Sequence, residues 1–128
     1  MNLKSNKFLY ITLPLALWSA TILTLTSIPG QEMPEINLWN WDKLAHCFVY
    51  LILAVLLMRY LLDVKMYLPA KALKLSIIIG SVFGGIDEIH QFFIPGRACS
   101  WQDYIADLAG VLLGAYLAFR YFRRKAGT

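Results

Sequence analysis

A histidine and two acids, His46, Glu88 and Asp107, are the residues of this sequence best suited by type to chemistry. Around them stand Asp42, Lys43, Tyr50, Asp87, Gln91, Arg97 and Asp103, in segments that are otherwise strongly apolar. An ionisable side chain inside a membrane span costs roughly 2.5–3.5 kcal/mol, so several together need a compensating reason. One reason is a buried polar network that ties helices together. The other is a site that binds or transforms something. For such a site, Glu88 has the chemistry of a general base, with His46 orienting or protonating a substrate. Asp42, His46, Glu88 and Asp107 could also supply nitrogen and oxygen donors to a divalent metal. The expectation is a site with no resident cofactor, the divalent cation being the alternative. No H-E-x-x-H, G-x-S-x-G, Walker loop or Cys/His cluster is present to name a reaction.

The elements that must position these residues follow from composition. Of 128 residues, 59% are hydrophobic and 16% charged, which is more apolar side chain than a soluble domain of this size can bury. The apolar residues fall in runs near the ~20 residues needed to cross ~30 Å of hydrocarbon. The expected fold is all-α: a single domain over residues 1–128, an integral membrane bundle of four transmembrane helices at about 8–28, 41–62, 72–94 and 100–121. The first run is too long for a signal-peptide core and lacks a clear cleavage site, so it reads as a retained helix. Pro14 predicts a mild kink there. An outer loop over residues 31–40 carries Glu32 and Glu35, Asn40 is placed to cap the second helix, and Pro95-Gly96-Arg97 forces a tight turn.

Charge placement sets the expected topology. Lys4 and Lys7 precede the first span, Arg59, Lys65, Lys71 and Lys74 bracket the second connection, and Arg120, Arg123, Arg124 and Lys125 follow the last. By the positive-inside rule both termini and the middle loop are cytoplasmic. The net charge of +4 therefore reports topology and not a nucleic-acid partner. Trp39, Trp41, Trp101, Phe92, Phe93 and Tyr104 at one end, and Tyr60, Tyr67, Tyr121 and Phe122 at the other, match two interfacial aromatic belts. Cys47 and Cys99 are expected to be free thiols, with a disulfide the lesser alternative.

Depth and angle then converge. At 1.5 Å per residue His46 lies about 6 Å into the second span, Glu88 about 9 Å below the end of the third, and Asp107 about 10 Å into the fourth. Ser76, Gly80, Gly84, Asp87, Glu88 and Gln91 share one small-and-polar stripe, as do Asp103, Asp107, Gly110 and Gly114, and as do Asp42, His46 and Tyr50. Several residues also have plain structural readings. Ser100-x-x-Asp103 fits a capping box. Asp42 suits the positive end of a helix dipole, Tyr50 a packed core position with a bonded hydroxyl, and His90 a polar position at headgroup level. Arg97 is expected either to neutralise Glu88 or Asp103, or to hold a phosphate or carboxylate.

The ordered set Asp42-Lys-x-x-His46-x-x-x-Tyr50, Asp87-Glu88-x-x-Gln91, Pro95-Gly-Arg97, Ser100-x-x-Asp103-x-x-x-Asp107 and Gly110-x-x-x-Gly114 resembles the VanZ-like family of small bacterial membrane proteins. The resemblance runs over roughly residues 40–114. The family pattern often carries Asn where this chain has Asp107. It implies a multi-pass protein of the bacterial cytoplasmic membrane, whose namesake contributes to resistance to the glycopeptide teicoplanin. The expected function is an envelope-associated accessory protein that binds a membrane lipid or lipid-linked cell-wall precursor in a polar pocket at the outer leaflet. The alternatives are an intramembrane hydrolase or transferase acting on a lipid-linked substrate, and a scaffold for a membrane-protein partner.

Overall fold

The computed structural model describes residues 6–32 and 39–125. Lys4, loop residues 33–38 with Glu35, and the side chains of Glu32, Trp39 and Asn40 lie outside the described residues, and with them the expected Asn40 cap. Four helices account for almost all of the rest, and no strand occurs among the described residues. They are α1 (Leu13–Thr26, continuing a π-helical turn Phe8–Thr12), α2 (Trp39–Asp63), α3 (Pro69–Phe92) and α4 (Trp101–Lys125). The elements fall close to the expected spans. Beside the expected kink position, Pro14 has no N–H and leaves the Tyr10 carbonyl without its usual partner. The turn before it opens into a π-helix, with the Leu13 N–H reaching back to the Phe8 carbonyl.

Three helical stretches are long and apolar enough to cross a membrane: Phe8–Thr26, Trp41–Asp63 and Trp101–Lys125. Helix α3 has 24 residues, about 36 Å at 1.5 Å per residue, but Lys71, Lys74, Asp87 and Glu88 dilute its apolar character. Its starting point also differs from expectation. The chain leaves α2 through Met66, at φ 55°, and turns straight into Pro69 at the helix start, so α3 begins at residue 69.

The most extensive packing is between α2 and α4. A Cβ at Gly110 would overlap the Cys47 carbonyl, and one at Gly114 would overlap the carbonyl of Leu51. The two helices therefore touch backbone to backbone over one turn. The pairing 47–110 and 51–114 keeps a constant offset, so α2 and α4 run parallel. Helix α3 closes in by the same device, since a Cβ at Gly80 would press on both γ-carbons of Val111 at 2.9 Å. The Ser76 hydroxyl, fully buried, donates to the Ala54 carbonyl at 3.2 Å and anchors α3 to α2. Tyr50, Leu53, Ala54, Met58, Val111 and Ala115 fill the centre. Helix α1 lies outside this trio, held in part by the Trp18 indole N–H on the Val49 carbonyl at 3.0 Å.

Gly110→Ala is expected to force α2 and α4 apart and cost about 1–3 kcal/mol, read as a lower thermal unfolding midpoint in detergent. Gly85→Ala is the contrast, because a Cβ there meets only the Tyr104 ring at 3.6 Å. It should be neutral, or stabilising by up to about 1 kcal/mol.

Candidate functional site

Immediately beyond the Gly110 contact, α2 and α4 exchange polar groups in the same parallel register. The His46 Nδ1 lies 2.9 Å from Asp107 Oδ1, and the Lys43 ammonium pairs with the Asp103 carboxylate. Gly84 of α3 leaves room for both Tyr50 and Asp107, since a Cβ there would stand 3.3 Å from the Tyr50 ring and 3.4 Å from the Asp107 Cβ. The same helix turns its buried stripe, Ser76, Gly80, Gly84, Asp87, Glu88 and Gln91, inward.

Asp87 and Glu88 are adjacent and perform different tasks. Asp87, wholly buried, accepts the Thr26 hydroxyl of α1 at 2.6 Å and the Tyr50 hydroxyl of α2 at 3.1 Å. One carboxylate thus binds three helices, the kind of polar contact that holds membrane helices together. Glu88 accepts the Ser100 backbone N–H at 3.0 Å and the Gln91 amide at 3.4 Å. The expected capping box is present in part. The Asp103 N–H donates to Ser100 Oγ at 3.3 Å. The reciprocal bond runs elsewhere: Glu88 takes the Ser100 N–H, which leaves the Asp103 carboxylate for Lys43.

Ligating atoms of His46, Glu88 and Asp107 lie within 4.8 Å of one another. Asp42, expected in the same donor set, groups instead with His46 and Asp103, on the more exposed side. His90 stands apart from the cluster and is half-buried, with its Nδ1 lacking a partner among the described residues. Cys47 and Cys99 are both free.

Arg97 differs most from expectation. It pairs with neither Glu88 nor Asp103. Its Nε–H donates to the Ile28 carbonyl at 3.1 Å and its Nη2 to the Leu25 carbonyl at 3.3 Å. These carbonyls lie at and just beyond the C-terminal end of α1, where intrahelical donors run out; that of Leu25 also takes the Ile28 N–H at 3.4 Å, and the helix dipole favours a cation there. The Gly30 N–H on the Pro95 carbonyl, at 3.0 Å, joins the same two turns, and Gly96 at φ 74° lets the backbones meet.

A pocket of about 190 Å³ opens between α1, α2 and this clasp. Ile22, Leu25, Ile28 and Val49 supply apolar walls, while Asp42, His46, Tyr50, Asp87 and Arg97 supply polar ones. Sequence reasoning missed Thr26 as a site residue, although its place at the end of the first span set it at the depth of the acids. It also missed the Ser100 N–H, which no residue type advertises.

Thr26→Val and Tyr50→Phe each remove a donor to the buried Asp87. Each should cost about 1.5–3 kcal/mol in thermal unfolding in detergent. The double variant should cost less than the sum if the two hydroxyls serve one carboxylate.

No curated protein and no solved structure matches this chain. A family model described as VanZ/LLP1 matches residues 3–123, nearly the whole chain and every residue of the cluster just described. The chain belongs to the VanZ-like family.

Proposed function

We propose that this is a multi-pass protein of the bacterial cytoplasmic membrane in which all four helices cross the bilayer. In this reading both termini and the 64–68 turn are cytoplasmic. Two observations support the fourth crossing and its direction. Helix α3 keeps its acids inward and presents Ile78, Ile79, Val82, Ile86 and Ile89 outward, as a lipid-facing surface requires. The Lys7 ammonium reaches the Asp63 carbonyl at 2.6 Å, which gathers the N-terminal segment and the basic turn at one end. A membrane-impermeant thiol reagent should label the exposed Cys99 in intact cells; labelling only after lysis would invert the topology.

Within that frame the protein is an envelope-associated accessory protein that binds a phosphate-bearing headgroup, of a membrane lipid or a lipid-linked cell-wall precursor, at the outer leaflet. The observation that carries this reading is the half-apolar, half-polar pocket between α1 and α2. At about 190 Å³ the pocket is small. That suits a headgroup, leaving acyl chains outside against the apolar flank of α1. Arg97 spends two of its five N–H groups on α1, leaving three for an anionic oxygen at the pocket edge. The link to teicoplanin susceptibility belongs to the same proposal and is read as an inhibitory concentration.

Native mass spectrometry of gently solubilised protein should show one phosphate-bearing lipid adduct. Ala45→Phe, which fills the pocket, and Arg97→Gln should each deplete it. A wild-type protein free of lipid, with drug susceptibility unchanged by both variants, overturns the reading.

A further inference from the structure

The cluster of His46, Glu88 and Asp107 has more negative charge than its hydrogen bonds account for. Asp87, Glu88 and Asp107 are each at most 3% exposed, within one turn or so of depth. Asp87 is satisfied by two hydroxyls, and Lys43 is engaged by Asp103. Asp107 shares one oxygen with His46, but its Oδ2 is buried without a hydrogen-bond partner among the described residues. A buried carboxylate oxygen with no protein partner is rare in folded proteins and points to a cation or an ordered water beside it.

The geometry points to a divalent cation: we propose that His46, Glu88 and Asp107 form a three-ligand site for a first-row divalent metal of the zinc class. One imidazole nitrogen and two carboxylate oxygens are a donor set that such ions accept. Donors on a tetrahedral ion at ~2.1 Å stand roughly 3.4 Å apart. The donor atoms lie within 4.8 Å of one another, so metal binding requires them to draw together by up to about 1.4 Å. The His46 Nδ1–Asp107 Oδ1 contact, at 2.9 Å, brings the imidazole and the Asp107 carboxylate together, and Oδ2 of that carboxylate is the oxygen left to take the cation. The three ligands come from α2, α3 and α4, so one ion joins the three helices that the glycine contacts bring together. Three protein ligands leave a coordination position for water or an anionic oxygen, and His46 borders the pocket. The metal site does not depend on a lipid occupying that pocket.

The test uses full-length protein purified through a tag without histidines and with no chelator. Elemental analysis should find close to one equivalent of zinc, manganese or iron per chain. After stripping, Co²⁺ should restore one equivalent and give a visible ligand-field spectrum. Glu88→Gln and His46→Gln should weaken Co²⁺ binding by roughly tenfold or more, whereas Asp63→Asn, which alters an acid at the far end of α2, should retain it. Wild-type protein that is metal-free as purified and silent to Co²⁺ overturns the proposal, and this holds whether or not the variants fold. Loss of binding in Asp63→Asn with retention in Glu88→Gln overturns it equally.

Discussion

Two glycines on α4 set the distance on which the rest of the structure depends. Gly110 and Gly114 lie directly on the backbone of α2 at Cys47 and Leu51, where no side chain fits. In a bilayer helices gain no hydrophobic advantage from meeting, so association rests on close packing and hydrogen bonds. The contact also fixes rotation. One turn further along, the same two faces present Asp107 to His46, and beyond that Asp103 to Lys43. Had the helices stood a methyl group further apart, these pairs would be out of hydrogen-bond reach.

The polar groups divide into layers with distinct tasks. Asp87 is a structural tie: its two oxygens bind hydroxyls from α1 and α2. Glu88 acts at the helix start, where it completes the cap that Ser100 begins. Asp107 is the exception, with one oxygen committed and one buried and unbonded. Adjacent or equivalent acids in sequence thus differ because their surroundings differ, and only the three-dimensional arrangement separates them.

Much of this was legible beforehand. Spacing by three and four identified the buried stripe of α3 residue by residue, because a lipid-facing surface tolerates no acid or amide and so leaves a clean period. Depth counted from the turns brought His46, Glu88 and Asp107 to one level, since helical rise is nearly invariant. What failed was anything decided by backbone groups. For Arg97 the sequence offers an acid or a bound anion as partner, because side chains are visible in a sequence, whereas the Leu25 and Ile28 carbonyls that accept from it are not. The Ser100 N–H that claims Glu88 was hidden for the same reason, and with it the release of Asp103. Pro14 was recognised as a disturbance, but whether a helix kinks or widens into a π turn depends on its neighbours.

The pocket has walls of unequal thickness. On one side stands α2, backed by α4 through the glycine contact and by α3 through Ser76. On the other stands α1 alone, whose far face is Leu17, Leu23 and other exposed apolar side chains. The polar interior is therefore separated from the apolar outer surface of the bundle by a single helix. A molecule with a charged head and a greasy tail could lie astride that one-ply wall, and each part would remain in a medium of its own polarity.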